Sequence, residues 1–107
     1  MRISSAEINA IVQAITPFIS PNSAELRLYG SRVHAHLKGG DLDLLLLVEE
    51  PEIADALKLQ KHHLLAEIKK QLGDRKIDVL FASREEILTQ AFIDLIFQES
   101  VLLYVWQ

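Results

Sequence analysis

Cysteine is absent from this sequence of 107 residues. Its absence excludes structural disulfides, zinc sites built on cysteine and a thiol nucleophile. Positive charge is also scarce, since 11 Lys and Arg residues stand against 15 Asp and Glu residues, for a net charge of −4. We therefore expect no general binding to nucleic acids, because contact with a phosphate backbone requires a clustered positive surface.

Long apolar runs are missing as well. No run of the sequence approaches the ~20 apolar residues of a membrane span, and no long apolar stretch follows Arg2 at the start. We therefore expect neither a secretory signal nor membrane binding. Half of the residues are hydrophobic, which suffices for a core without disulfides. The expectation is one α/β domain over residues 1–107, located in the cytoplasm.

Four short segments have the composition of β-strands. Alternating apolar and polar residues predict a strand around Leu26–Tyr29. The nearly all-leucine run Leu42–Val48 predicts a central strand that is covered on both faces. A third strand is predicted at Ile77–Phe81, and Val101–Trp106 is either a short final strand or an apolar tail.

Helices are predicted between these strands by periodicity and capping signals. A first helix begins at the capping box of Ser4 and is ended or kinked by Pro17 and Pro21. A second runs from Pro51 to a glycine cap at Gly73, and a third runs from Ser83 to about residue 97. Residues 32–38 are predicted to form one helical turn.

The resulting element order is α-β-β-α-β-α-β. Strands one and two, joined by residues 31–40, are expected to be antiparallel neighbours. The strand–helix–strand unit of residues 42–81 predicts a parallel, right-handed crossover. The fold class is therefore α/β, with a mixed β-sheet flanked by helices.

Two acids stand at the entry to the central strand. Asp41 and Asp43 are two residues apart, so their side chains point to the same face of a strand. Two carboxylates on one face repel each other unless a cation lies between them. Magnesium prefers oxygen ligands and is commonly held by one or two carboxylates together with substrate phosphates.

A third acid lies in the next predicted strand. Asp78 stands among apolar residues in the third predicted strand, where a charge needs a partner. Parallel strands begin at the same end of a sheet, so Asp78 is expected beside Asp41 and Asp43. These three aspartates are the candidate metal ligands and catalytic residues.

A candidate phosphate-binding turn closes the first strand. Gly30 allows the backbone to approach a ligand closely, Ser31 adds a hydroxyl, and Arg32 adds a cation suited to phosphate oxygens. Antiparallel pairing brings this turn next to the acids. Gly30, Ser31 and Arg32 are therefore the candidate nucleotide-binding residues.

These motifs together resemble the signature of the DNA polymerase β-like nucleotidyltransferases. The signature is a hydrophobic residue followed by Gly-Ser, a spacer, and Asp-x-Asp, with a further acid on a later strand. Here it reads Leu28 to Arg32, a nine-residue spacer over 32–40, Asp41-Leu42-Asp43, and Asp78. The small size is similar to the minimal nucleotidyltransferases, a branch that contains antitoxins.

The resemblance implies a mechanism. Two magnesium ions would bridge Asp41, Asp43, Asp78 and the triphosphate of ATP, while Gly30 and Ser31 hold its β- and γ-phosphates. An acceptor hydroxyl would attack the α-phosphorus and pyrophosphate would leave. The resemblance to the antitoxin branch implies that the acceptor is a tyrosine of a helical HEPN-type ribonuclease toxin, which is then also the partner.

Each motif also has a purely structural interpretation. Asp41 and Asp43 could cap a strand at a solvated turn, and the glycine–serine pair could be an ordinary turn. Asp78 could pair with Arg75 or Lys76. Arg32 could pair with Glu25 or Asp41. His34 and His36 could be solvated loop histidines, whereas His62 and His63 are interpreted as surface or partner contacts. Lys58, Lys61, Lys69 and Lys70 are expected on the exposed side of a helix.

The function has alternatives too. The chain could be a binding module that neutralises a partner by contact alone, although such a module has no physical need for three acids. An aminoglycoside-type transferase is disfavoured by the short length. Part of the apolar segment Val101–Trp106 is expected to contact a partner, whereas Phe92, Ile96 and Phe97 are expected mostly in the core.

Overall fold

The computed structural model describes residues 3–30, 41–73 and 75–107. Helices and strands follow one another along these ranges in the order α1 (Ser5–Ile19), β1 (Ala24–Tyr29), β2 (Asp41–Val48), α2 (Pro51–Leu59), α3 (Lys61–Leu72), β3 (Lys76–Ser83), α4 (Arg84–Thr89), α5 (Ala91–Glu99) and β4 (Val101–Trp106). None of the helices in this described part is long and apolar enough to cross a membrane.

The four strands form one mixed sheet in the order β3-β2-β1-β4. β1 is antiparallel to both β2 and β4, and β2 is parallel to β3. The predicted α/β class, the antiparallel pair and the parallel pair are confirmed. The segment Val101–Trp106 is a strand rather than a tail, because it pairs with β1.

The leucines of β2 are buried in two separate layers, one on each face of the sheet. The first layer contains α1, α2 and α3, and the second layer contains α4 and α5. Leu42, Leu44 and Leu46 are fully buried against α1, α2 and α3 on one face of the sheet. Leu45 and Leu47 are buried on the other face against Ile93 and Ile96 of α5. A strand covered on both faces reads as a continuous apolar run, as predicted for this segment.

Two predicted helices are each divided in the structure. The helix predicted from Pro51 is broken at Gln60, whose φ of −107° and ψ of 12° lie outside the helical range. The helix predicted from Ser83 is broken at Gln90, which is extended. The break at Gln90 separates α4, which has no buried residue, from α5, which inserts Ile93 and Ile96 into the core.

Other local predictions had mixed outcomes. The capping boxes of Ser4 and Ser83 are both formed. Helix α1 contains Pro17 and ends at Ile19, between the two prolines that were predicted to end or kink it. The helical turn predicted at 32–38 lies outside the described residues. Phe92, predicted mostly in the core, is 68% exposed.

An ion-pair network attaches the second layer to the sheet. Glu25 of β1 accepts a hydrogen bond of 2.6 Å from Arg27 and another from Arg84 at the start of α4. The Arg27 guanidinium also lies 4.6 Å from the ring centroid of Phe97. Burial raises the pKa of Glu25, but the hydrogen bonds and charges of Arg84 and Arg27 outweigh burial, so the net pKa is lowered.

Removal of the Glu25 charge is expected to destabilise the fold in a pH-dependent way. Hydrogen bonds to charged groups contribute about 1.5–3 kcal/mol, so Glu25→Gln is expected to lower the free energy of unfolding by about that amount at pH 7. Because the folded-state pKa is depressed, the contribution is fully present above the ordinary pKa of 4.5 and is lost as pH falls through the lower folded value. Urea unfolding between pH 7 and pH 3 measures the difference.

The matched control is Glu49→Gln. Glu49 lies 3.6 Å from Arg84 but its side chain is 60% exposed, so its loss is expected to change stability little. An equal effect of both variants, or a Glu25→Gln defect that persists unchanged at pH 3, would contradict the importance of the buried network.

Candidate active site

Three strands contribute to one row of side chains across the sheet. Tyr29 of β1 pairs with Asp43 of β2, and Asp43 pairs with Asp78 of β3. Directly paired residues on neighbouring strands point to the same face. The structure therefore brings Asp43 and Asp78 side by side, as expected from the parallel crossover.

Asp41 and Asp43 occupy the same face of β2. The residues that alternate with them, Leu42 and Leu44, are fully buried on the opposite face. The pKa of Asp43 is raised, first by burial and then by the negative charges of Asp41 and Asp78, while Lys76 acts in the opposite direction. The repulsion inferred from the Asp-x-Asp pattern is thus present in the folded chain.

Two lysines accompany the acids. Lys61, the first residue of α3, places its Nζ atom 2.8 Å from Oδ1 of Asp78. Lys76 of β3 lies 3.9 Å from Oδ2 of Asp41. The alternative pairing of Asp78 with Arg75 or Lys76 is wrong in its partners, because Arg75 contacts Glu7 instead. Lys61 was expected on the exposed side of a helix, and no sequence signal points to its contact with Asp78.

Gly30 lies directly against the central acid. Its φ of +79° belongs to the region that side chains rarely adopt, and an added Cβ would lie 2.6 Å from Oδ2 of Asp43. The positive φ therefore favours glycine at this position, and an added Cβ would have to displace the Asp43 carboxylate. Ser31 and Arg32, the other predicted nucleotide-binding residues, lie outside the described residues.

Tyr29 is a site residue that the sequence analysis did not identify. Burial, followed by the charges of Asp43 and Asp78, raises the pKa of its phenol. The ring packs against the apolar cluster that contains Leu45 and Leu47. Strand alternation alone could have placed Tyr29 on one face, but its contact with the acids depends on the register between β1 and β2.

The carboxylates of Asp41, Asp43 and Asp78 are ligands of the type that a hard cation prefers. Carboxylate oxygens are the ligands that magnesium prefers, and a cation would relieve the repulsion on Asp43. Within residues 3–30, 41–73 and 75–107, no three acidic or histidine side chains converge as a complete metal-binding group. Magnesium binding by Asp41, Asp43 and Asp78, with substrate phosphates completing the shell, therefore remains a prediction.

Solved structures with the same architecture were found, although no family model and no curated protein matches the sequence. One is a proposed nucleotidyltransferase with 19% identity and a TM-score of 0.58, and the match covers 94% of this chain and 100% of that chain. The chain has the nucleotidyltransferase fold.

Two further structures share this nucleotidyltransferase fold. The spectinomycin adenyltransferase AAD(9) from Enterococcus faecialis, solved with ATP and spectinomycin, has 21% identity and a TM-score of 0.57, covering 94% of this chain and 48% of that chain. A proposed nucleotidyltransferase from Sulfolobus solfataricus has 15% identity and a TM-score of 0.52, covering 97% of this chain and 91% of that chain. The predicted fold is confirmed, and the minimal antitoxin branch stays a prediction.

Asp41, Asp43 and Asp78 are together called the acid row. Alanine substitution at Gly30 is expected to disturb it. A residue with a side chain costs about 1–2 kcal/mol in a left-handed conformation, and Gly30→Ala adds the collision with Asp43. Gly73→Ala serves as a comparison without a collision, because Gly73 also has a positive φ, +81° with a ψ of −158°, but nothing within 4 Å of an added Cβ. Urea unfolding is expected to show a loss of stability for both variants, of which only the loss in Gly30→Ala depends on Asp43.

The collision can be isolated by a double-mutant cycle. In an Asp43→Ala background, which lacks the colliding oxygen, Gly30→Ala is expected to cost less than in the wild-type background, whereas the cost of Gly73→Ala is expected to be the same in both. An equal cost of Gly30→Ala in the two backgrounds would contradict the close approach of Gly30 to Asp43.

Neutralising Asp43 is expected to stabilise the metal-free chain at neutral pH. Because the folded-state pKa of Asp43 is raised, its ionisation opposes folding, and the stability available below the unfolded pKa is lost as pH rises through the folded pKa. Asp43→Asn is therefore expected to have a higher melting temperature than the wild type at pH 7 and no advantage at pH 3. A lower melting temperature at pH 7 would refute the repulsion.

Proposed function

We propose that this chain is a magnesium-dependent nucleotidyltransferase that moves AMP from ATP to a hydroxyl group. The observation that carries the proposal is the placement of Asp43 beside Asp78, with Gly30 against Asp43, in the nucleotidyltransferase fold. The ATP-containing adenyltransferase structure with this fold supports ATP as the nucleotide.

The acids have distinct tasks in this proposal. Asp41, Asp43 and Asp78 would hold magnesium, which supplies positive charge for the triphosphate when bound. Asp78 also accepts the proton of the attacking hydroxyl. One bond forms between the acceptor oxygen and the α-phosphorus, and the bond from that phosphorus to the pyrophosphate oxygen breaks.

Binding of the triphosphate is assigned to Gly30, Ser31 and Arg32, which follow β1 in the sequence. Gly30 has no side chain, which leaves room for close approach to the acid row. The proposed contacts of Ser31 and Arg32 with the β- and γ-phosphates follow from their hydroxyl and guanidinium donors. Magnesium and these donors together would offset the charge of ATP next to three carboxylates.

The proposed acceptor is a tyrosine of a helical HEPN-type partner protein. The net charge of −4 disfavours nucleic acids as acceptors and favours a basic protein through electrostatic steering. A protein that docks beside the site would raise the effective concentration of its hydroxyl near the bound nucleotide.

A second candidate function is neutralisation of that partner by contact alone. It is favoured by three large apolar side chains on α4 and α5, Leu88, Phe92 and Leu95, which are 86%, 68% and 55% exposed. Exposed apolar groups of this size are typical of interaction surfaces. In this alternative the aspartates of the acid row are dispensable.

Intact-mass spectrometry of the co-expressed HEPN-type partner separates the two candidates. With ATP and magnesium, the partner is expected to gain mass in steps of one AMP on a tyrosine, and EDTA is expected to prevent the gain. Asp43→Asn and Asp78→Asn are expected to abolish the transfer while the complex still forms.

The matched control is Asp55→Asn on α2, whose carboxylate is 74% exposed and pairs with Lys58. This variant is expected to transfer AMP at the wild-type rate. If the Asp43 and Asp78 variants neutralise the partner as well as the wild type and no mass is gained, contact-only neutralisation is the function and the enzyme proposal fails.

A further inference from the structure

The outer surface of the second layer is apolar where a solvated helix would be polar. On α5, Ile93 and Ile96 point into the core, whereas Phe92 and Leu95 point outward. Phe92 and Leu95 are three residues apart and therefore neighbours on the helix surface. With Leu88 of the adjoining α4 they form what we call the α4–α5 face, defined by Leu88, Phe92 and Leu95.

Charge around this face is mainly negative. The nearby cations Arg84, at the start of α4, and Arg27, against the Phe97 ring, both pair with Glu25. Residues 85–107 contain four acids, Glu85, Glu86, Asp94 and Glu99, and no Lys, Arg or His. Glu85 and Glu99 are exposed beside the apolar side chains. An apolar centre with an acidic rim is complementary to a protein surface with apolar anchors and a basic rim.

The same charges disfavour other occupants. Phosphate backbones and anionic lipid surfaces are repelled by an acidic rim. In a two-fold symmetric dimer the same patch occurs on both subunits, so a second copy of this chain would bring two acidic rims together. The charge pattern therefore favours a basic protein over these occupants.

The face lies on the side of the sheet that carries the acids. Ile93 and Ile96 pack against Leu45 and Leu47, which share their face of β2 with Asp43. The apolar surface extends toward the sheet edge on this side, because Leu102 and Val105 of β4, 46% and 40% exposed, pair with residues of β1 that face the same way. A protein bound to the α4–α5 face would therefore lie on the same side of the sheet as the acid row.

We propose that the α4–α5 face is the docking surface for a basic acceptor protein. The inference rests on the proposed function only in identifying the docked protein as the acceptor. Docking itself uses Phe92 and Leu95 as apolar anchors and the acidic rim for steering, and it requires neither ATP nor magnesium.

The test measures binding of the HEPN-type partner by titration calorimetry without nucleotide. Phe92→Lys and Leu95→Lys each remove an anchor and place a positive charge against a basic surface. Central anchors of interfaces typically cost 2 kcal/mol or more when removed, so each variant is expected to weaken binding about 30-fold or more. The matched control is Leu59→Lys, which changes a side chain that is 82% exposed on α2 of the opposite layer.

Two further measurements test whether these variants still fold and whether the acidic rim steers association. The side chains of Phe92, Leu95 and Leu59 are largely exposed. The circular dichroism spectrum and melting temperature of each lysine variant are therefore expected to match those of the wild type. Glu85→Gln together with Glu99→Gln is expected to slow association and to reduce its dependence on salt, because the acidic rim acts through steering.

Three outcomes would overturn the docking proposal. The first is wild-type affinity in Phe92→Lys and Leu95→Lys, and the second is no binding of the partner by the wild-type chain. The third is self-association of the wild-type chain that disappears in Phe92→Lys, which would identify a second copy as the occupant. If wild type and Asp43→Asn both bind the partner but no AMP is transferred, the proposed function fails and the docking surface stands.

Discussion

The register of β2 between β1 and β3 is the constraint on which the site depends. Side chains alternate along a strand, so a slip of one residue would move Asp43 into the larger core and expose Leu44 in its place. Such a slip is opposed because it would bury the charge of Asp43 among the apolar residues of that core. The same register aligns Asp43 with Tyr29 on one side and with Asp78 on the other.

This register concentrates negative charge at the start of two parallel strands. The pKa of Asp43 is raised first by burial and then by the charges of Asp41 and Asp78, so part of the shift reflects the repulsion between these carboxylates. Lys61 and Lys76 contact the two flanking acids, Asp78 and Asp41, and so offset part of the repulsion. A local arrangement that opposes folding is typical of sites whose chemistry needs the charge, because like charges have no structural use by themselves.

The two layers of the molecule have different roles. Helices α1, α2 and α3 supply most of the core on one face of the sheet. On the other face, α5 and the Glu25 network hold a smaller apolar cluster, and the acid row lies beside it. The helices of this thinner layer also present Phe92 and Leu95 to solvent, so the acids and the apolar surface belong to one side of the molecule.

The sequence by itself determined the elements with strong periodicity and the pairing of the central strands. The run Leu42–Val48 identifies a strand buried on both faces, and two-residue spacing puts Asp41 and Asp43 on one face. The position of Asp78 followed from the parallel crossover. The capping boxes of Ser4 and Ser83 also identified two helix starts, because their hydrogen bonds involve residues only three apart.

Only the tertiary structure decided the features that depend on how the helices meet the sheet. The breaks at Gln60 and Gln90 orient α3 and α5 toward their layers, and neither residue is a strong helix breaker. The contact of Lys61 with Asp78 and the exposure of Phe92 follow from these orientations. Periodicity defines the apolar side of a helix, but packing against distant residues determines how far each side chain is covered.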